Sequence, residues 1–228
     1  MGSFTSIYAI ASKRKGGDAA LEALIAEHAP KTKAEIAATP DDRILAMMSE
    51  RVFQAGFNWK VVANMWKGFE AAFHGFDPMW CGGMSEEEFD ALLKDRRIVR
   101  NAQKILSVQA NGRFLVELAR EHGSAAKAFA DWPDADYAGL LDLLRTKASR
   151  LGGEAGMRFV RTLGKPSFIT SRDVAAALIR EGVLTKPPSG KRDLAAIQAA
   201  FNRWSAESGR DLTAISRVLA MSVDGTGR

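Results

Sequence analysis

The chain has 228 residues, of which 46% are hydrophobic and 26% charged, a balance typical of a globular protein with a buried core. Its single cysteine, Cys81, excludes an intrachain disulfide and any multi-cysteine zinc or iron–sulfur site. No apolar run approaches the roughly 20 residues that cross a bilayer, and no signal peptide is evident. We therefore expect a cytoplasmic protein without a membrane partner.

The net charge of +5 is mildly basic, which permits a polyanionic partner such as DNA without requiring one.

Apolar residues at helical spacing predict helices through the first half of the chain. They start near Asp18, at Pro40 behind a capping Thr39, and after Asn58, which can cap the helix that follows it. A break at residues 76–83 is followed by Ser85-Glu86-Glu87-Glu88, a capping box that begins another helix. This helix leads into a short turn rich in arginine.

The second half of the chain is predicted to be helical as well. Apolar spacing from Ile98 to Leu118 predicts a long helix that ends at His122-Gly123, and further helices follow. Strand-like alternation is absent, so the fold class is all-α. We expect one helical domain over residues 1–228, with a lobe at about 40–150, a second lobe formed by 1–39 with 151–222, and a frayed tail at 223–228.

The turn between the two predicted helices over residues 92–105 is the first stretch with chemical meaning. Backbone N–H groups at the start of the second helix favour anions. The residues predicted to contact DNA there are Arg96, Arg97, Arg100, Asn101 and Lys104. Positions 97, 100 and 104 follow helical spacing and could line one face toward a phosphate backbone. A solvated basic turn is the alternative. The basic group of Arg158, Arg161 and Lys165 is interpreted as an ordinary solvated helix face.

The second stretch with chemical meaning is residues 50–59, where aromatic residues surround a predicted kink at Gly56. Aromatic faces can hold a nucleobase by stacking, and a nearby carboxylate such as Glu50 can stabilise positive charge on a base or a sugar. The alternative is that Phe53, Phe57 and Trp59 belong to the core.

The order and spacing of residues from Phe53 to about Leu115 resemble those of bacterial 3-methyladenine DNA glycosylase I, within the helix-hairpin-helix DNA glycosylase superfamily. The matching residues are Gln54-Ala55-Gly56, Trp59, Phe73-His74, Phe76-Asp77-Pro78, Met84, Leu92, Asp95, Ile98, Arg100, Lys104 and Ile105.

The resemblance implies a helix-hairpin-helix bundle that flips an alkylated purine such as 3-methyladenine out of double-stranded DNA. It then hydrolyses the N-glycosidic bond, without a lyase step and without a cofactor. The base-binding residues implied are Tyr8, Phe53, Gln54 and Trp59.

The resemblance leaves open which carboxylate takes part in catalysis. Arg51 stands where the resemblance implies a pocket glutamate, and the neighbouring carboxylate is Glu50, so either side chain could face the pocket. Asp173, in a first helical turn behind Ser171, is the second catalytic candidate, and simple helix capping is its alternative. Arg97 replaces a glycine that is usual in the hairpin of the family.

The family's zinc site cannot be assembled from one cysteine and three histidines, so we predict no metal. Nothing demands more than a monomer. Two hypotheses therefore remain: a DNA glycosylase for alkylated purines, and a catalytically inactive helix-hairpin-helix protein that binds DNA or recognises damage.

Overall fold

A computed structural model of the chain describes residues 2–224 and confirms the all-α fold. Within these residues there are fifteen α-helices, two 3-10 helices at His74–Phe76 and Asp134–Asp136, and no β-strand. The helices are α1 (Phe4–Lys15), α2 (Asp18–Ala26), α3 (Lys33–Ala37), α4 (Asp41–Gln54), α5 (Trp59–Asn64), α6 (Trp66–Ala72), α7 (Pro78–Gly82), α8 (Glu86–Lys94), α9 (Ala102–His122), α10 (Ala125–Asp131), α11 (Tyr137–Lys147), α12 (Glu154–Leu163), α13 (Arg172–Arg180), α14 (Lys191–Ser208) and α15 (Leu212–Met221).

The chain divides into two compact units. The central unit consists of Thr32–Trp132 and Leu141–Lys165, and the terminal unit consists of Met1–Lys31, Pro133–Leu140 and Pro166–Arg228. Residues 32–39 and 151–165 were predicted to lie with the chain ends, but in the structure they belong to the central unit, because α3 packs on α10 and α12 packs on α4. Residues 133–140 were predicted to lie in the central lobe, but they belong to the terminal unit. A single domain over the whole chain stays a prediction.

The core of the central unit is built on α4 and α9. A cluster of aromatic rings fills the space beside α4, with Phe53, Phe69, Phe73 and Phe76 all fully buried. The α7 helix crosses α9 closely, and a Cβ on Gly112 would lie only 2.8 Å from the backbone nitrogen of Gly82. The crossing therefore needs glycine at that position of α9.

The hairpin of the central unit consists of α8, the turn 95–101 and α9. The predicted capping box is confirmed, since Ser85 Oγ accepts from the Glu88 N–H and Glu88 Oε2 accepts from the Ser85 N–H. The second helix begins at Ala102, four residues later than predicted, because Asn101 is its N-cap. The prediction that residues 97, 100 and 104 share one helical face is therefore wrong, since the first two lie in the turn.

The terminal unit packs α1, α2, α13 and α14 around α15. Its core contains the fully buried rings of Tyr137, Phe168, Phe201 and Trp204, which contact one another in series. No helix in residues 2–224 is long and apolar enough to cross a membrane. The predicted frayed tail began at residue 223, and its residues 225–228 lie outside the described residues.

Candidate nucleic-acid interface

A pocket of about 480 Å³ opens on the central unit where α4 ends and α5 begins. Gly56 makes the turn between these helices with a φ of 69°, in the left-handed region that favours glycine. Asn58 then begins α5, because its Oδ1 accepts from the Lys60 N–H at 3.0 Å. The residues lining the pocket are Arg51, Gln54, Ala55, Phe57, Trp59, Glu154, Ala155 and Arg158.

The rotation of α4 about its axis decides which of two neighbouring side chains faces the pocket. Arg51 lines the pocket, whereas Glu50 is not among the lining residues. Gln54 connects the two, since its Nε2 donates to Glu50 Oε1 at 2.8 Å and its Oε1 accepts from Arg51 Nη1 at 2.9 Å. Arg51 Nη2 also lies 3.5 Å from Glu50 Oε2. The carboxylate of Glu50 is therefore linked to the pocket through its neighbours and is not part of the wall.

The α12 helix contributes a charged pair to the wall. Arg158 Nε donates to Glu154 Oε1 at 2.8 Å, one helical turn apart. Neither residue was predicted to line a pocket, and Arg158 was interpreted as part of a solvated face. The signal that could have found them is the spacing of four residues between the charges, on a helix that the apolar pattern predicts to pack against another helix.

The aromatic residues near the pocket separate into core and surface. Phe53 is fully buried, with its ring centroid 4.6 Å from that of Phe69, so the prediction that it contacts a base is wrong. Phe57 and Trp59 are 48% and 60% exposed, and both line the pocket. The core alternative is therefore correct for the first ring and wrong for the other two.

Lys104 also differs from its prediction. The residue is only 8% exposed, and its Nζ donates to the backbone oxygens of Phe53 at 3.0 Å and Ala55 at 2.7 Å. It also lies 5.8 Å from the centre of the Phe57 ring. Burial lowers the pKa of Lys104 from its usual value, and the Arg150 guanidinium lowers it further. Lys104 therefore holds the pocket loop in place instead of facing a phosphate.

The turn of the hairpin carries the exposed positive charge. Asp95 Oδ1 accepts from the Arg97 N–H at 2.8 Å, and Asp95 Oδ2 accepts from Arg97 Nη2 at 2.8 Å. Side-chain hydrogen bonds from Arg97 lower the pKa of Asp95 below its usual range. Arg97 is thus engaged within the turn, although its side chain stays 61% exposed. Arg96 and Arg100 are exposed, and their contact with DNA stays a prediction.

The packing beside the turn shows how the hairpin tolerates arginine at position 97. Gly68 of α6 faces the backbone of the turn, and a Cβ there would overlap the carbonyl oxygen of Arg97. The close approach that the turn requires is thus provided by a glycine on the neighbouring helix.

Asn101, at the end of the turn, is the N-cap of α9. Its Oδ1 accepts from the Lys104 N–H at 3.1 Å, so this predicted DNA contact also serves as a helix cap.

Two predicted site residues lie in the terminal unit. Tyr8 donates its hydroxyl hydrogen to Glu22 Oε1 at 2.6 Å, and the Arg210 guanidinium lies 5.1 Å from the ring centre. The hydrogen bond with Glu22 and burial raise the pKa of Tyr8 to about 12. Asp173 lies in the first turn of α13, behind the Ser171 cap, as predicted. The base-binding role of Tyr8 and the catalytic role of Asp173 stay predictions.

Among residues 2–224, no three His, Cys, Asp or Glu side chains come together in a way that could hold a metal ion.

Comparison with known proteins gives a consistent assignment for the central part of the chain. Residues 36–137 match the family model described as methyladenine glycosylase. DNA-3-methyladenine glycosylase 1 of Escherichia coli (strain K12) is 30% identical over 80 residues, which is 35% of this chain and 43% of that protein. The chain thus spans less than half the length of this curated relative.

Solved structures of 3-methyladenine DNA glycosylase I are also similar. A crystal structure of the enzyme is 22% identical, covers 60% of this chain and 79% of the other, and gives a TM-score of 0.46. A glutamate-to-glutamine variant from Staphylococcus aureus is 16% identical, covers 67% and 90% of the two chains, and gives a TM-score of 0.47. Residues 36–137 of this chain are thus similar to the methyladenine glycosylase family.

Proposed function

We propose that the protein is a DNA N-glycosylase that removes an alkylated purine from double-stranded DNA. The observation that carries this proposal is the pocket of about 480 Å³ with Trp59 exposed at its wall, held by Lys104 from the first turn of the hairpin's second helix. Its volume is large enough to admit a nucleobase, which must leave the duplex to reach it. The names of the similar proteins support the same reaction.

The hairpin and the pocket would divide the work of binding. Arg96 and Arg100 contact the phosphate backbone, which gives affinity without sequence preference. The extruded base then stacks on Trp59, whose exposed indole face replaces part of the stacking lost in the duplex. Because Lys104 connects the two regions, the pocket loop is already formed when the hairpin binds.

Hydrolysis would then rely on positioning and electrostatics. Glu50 is the predicted carboxylate on α4, and its charge reaches the pocket through the amide of Gln54. It would stabilise positive charge that develops on the sugar as the glycosidic bond breaks. Asp173, in the terminal unit, stays the second proposed catalytic carboxylate.

The alternative is a DNA-binding protein without catalysis, and one observation favours it. Among the described residues that line the pocket, the carboxylate of Glu154 is paired with Arg158. Glu50 accepts from Gln54 and lies outside the wall. A pocket of this kind can bind a base without holding a carboxylate that is ready to act on water.

Base release distinguishes the two functions. Purified protein is incubated with methylated duplex DNA and, separately, with a duplex that carries a single 1,N6-ethenoadenine, and free bases are measured by chromatography. The glycosylase proposal predicts release of a modified purine and an abasic site at its position, and no release from undamaged DNA. Intact duplex binding with no base released from either substrate would contradict it and support the alternative. We further propose that the protein acts as a monomer in the cytoplasm.

A further inference from the structure

We infer that Arg51 makes this pocket select an uncharged base over a cationic one. This inference rests on the proposed function in one respect, namely that the pocket receives a base from DNA. It goes further by naming the charge of that base, and it assigns the selection to one side chain of α4.

The charges around the pocket are the first argument. Two guanidinium groups, those of Arg51 and Arg158, line the wall together with the single carboxylate of Glu154. That carboxylate is already paired with Arg158, and Glu50, outside the wall, accepts from Gln54 and lies 3.5 Å from Arg51 Nη2. A cationic base in the pocket would therefore meet guanidinium groups without gaining an unpaired carboxylate, which is unfavourable in a partly desolvated site.

The hydrogen-bonding capacity of the wall is the second argument. Arg51 can only donate hydrogen bonds. Its side chain is 23% exposed, and among the described residues its Nε is buried without a hydrogen-bond partner. Gln54 already uses its amide nitrogen and oxygen on Glu50 and Arg51. The α4 side of the wall thus offers donors more readily than acceptors, and uncharged purines present ring nitrogens or carbonyl oxygens that accept.

The bond-breaking step also favours an uncharged base in this pocket. When the C1′–N bond of a cationic base breaks, its electron pair neutralises the base, which departs without help. The same electron pair gives an uncharged base a negative charge, until a proton from the attacking water reaches its nitrogen while the hydroxyl oxygen joins C1′. A guanidinium in the wall stabilises that negative charge as it develops. Arg51 can therefore assist the departure of an uncharged base, which is the leaving group that needs stabilisation.

Binding to two isosteric lesions tests the inference without requiring hydrolysis. One duplex carries 3-methyladenine, which is cationic in DNA, on a 2′-fluorinated sugar that resists cleavage. The other carries the uncharged 3-deaza isostere on the same sugar, and a third carries undamaged adenine. Dissociation constants are measured by fluorescence anisotropy for the wild type, Arg51→Gln and Arg51→Glu. The matched control is Arg145→Gln, which removes an exposed guanidinium paired with Asp142 on α11.

The wild type should bind the uncharged isostere about tenfold more tightly than the cationic base, an effect expected of one charge contact at a partly exposed site. Arg51→Gln should reduce this preference to within about threefold, and Arg51→Glu should reverse it. Arg145→Gln should leave it unchanged. Circular dichroism and thermal unfolding establish that each variant is folded, and the neutral Gln variant provides the decisive comparison where the Glu variant is unstable.

Equal or tighter binding of the cationic base by the wild type would overturn the inference, as would a preference that Arg51→Gln leaves unchanged. The same holds for a wild type that binds both lesions no more tightly than undamaged adenine. Because the sugars cannot be cleaved, these results are independent of base release. A protein that releases no base but prefers the uncharged isostere would disprove the glycosylase proposal and leave the role of Arg51 standing.

Discussion

The pocket loop at residues 54–59 and the hairpin turn at residues 95–101 both connect two helices, and both were predicted to contact DNA. They are stabilised in different ways. The hairpin turn satisfies its own carboxylate, since Asp95 binds Arg97 within the turn, and the arginines beside them stay exposed. The pocket loop is held from outside by Lys104, and it exposes aromatic rings instead of charge. One region is suited to phosphates, and the other to a base.

Phe53→Ala should produce the largest effect, because it removes the fully buried ring that supports the pocket loop. Loss of a buried phenylalanine costs about 3–5 kcal/mol in the free energy of unfolding. Urea denaturation followed by circular dichroism measures this cost, with Phe57→Ala as the matched control on an exposed ring. Equal destabilisation by both variants would contradict the division into core and surface rings.

Lys104→Met tests whether the pocket loop depends on the hairpin's second helix. The variant leaves the carbonyl oxygens of Phe53 and Ala55 without their charged donor, so we expect a loss of about 2–3 kcal/mol in unfolding free energy. Lys94→Met, at an exposed position of α8, is the control. A stability equal to that of the control would show that Lys104 does not hold the loop. In that case its original assignment to DNA binding would be preferred.

Trp59→Ala sharpens the comparison at the base-binding side. The exposed indole contributes little to folding, so stability should change by less than about 0.5 kcal/mol. Affinity for a lesion-containing duplex should fall by about 1–3 kcal/mol, the usual value of one stacked base. Anisotropy titrations with lesion and undamaged duplexes measure it, and Val61→Ala on the same helix is the control. An equal loss for both duplexes would mean that Trp59 contacts the DNA outside the pocket.

Arg96→Gln and Arg100→Gln test whether the hairpin turn binds DNA regardless of the lesion. Each variant should weaken binding to lesion and undamaged duplexes alike, and should reduce the slope of log K against log salt by about 1. Titrations at several salt concentrations measure this slope, and Arg145→Gln is the control. Slopes that match the wild type would remove these two arginines from the phosphate contacts.

The smallest effect concerns acid pH. Because Arg97 lowers the pKa of Asp95, the contribution of that carboxylate to stability is complete above its ordinary pKa of about 4 and is lost as the pH falls through the lowered value. Arg97→Gln should raise the pKa of Asp95 toward that ordinary value. A carbon-detected NMR titration of the carboxyl group measures it. An unchanged pKa in the variant would mean that another group stabilises the Asp95 carboxylate.

Features that depend on partners close in sequence were predictable in this chain, whereas features that depend on distant partners were not. The capping box at Ser85 and Glu88 was predictable, because both partners lie within one helical turn. The choice between Glu50 and Arg51 was not, since the two differ by about 100° around α4 and only packing against α9 and α12 sets the rotation. The burial of Lys104 depends on carbonyl groups about fifty residues away along the chain.

Aromatic residues show the same limit. Phe53, Phe57 and Trp59 lie within seven residues, and composition gave all three the same choice between core and pocket. The end of α4 at Gln54 and the turn at Gly56 separate them, so that Phe53 points into the cluster of the central unit while the other two line the pocket. A break of the helix one turn later would have changed that distribution.

Single-turnover base release from a duplex with one alkylated purine tests the central claim most directly. The saturating rate and the half-saturating protein concentration are measured for the wild type, for Trp59→Ala and for the double variant Arg96→Gln, Arg100→Gln. The wild type should release the base, Trp59→Ala should lower the saturating rate, and the double variant should mainly raise the half-saturating concentration. No release by the wild type at concentrations where the duplex is fully bound would contradict the assignment of this protein as a glycosylase.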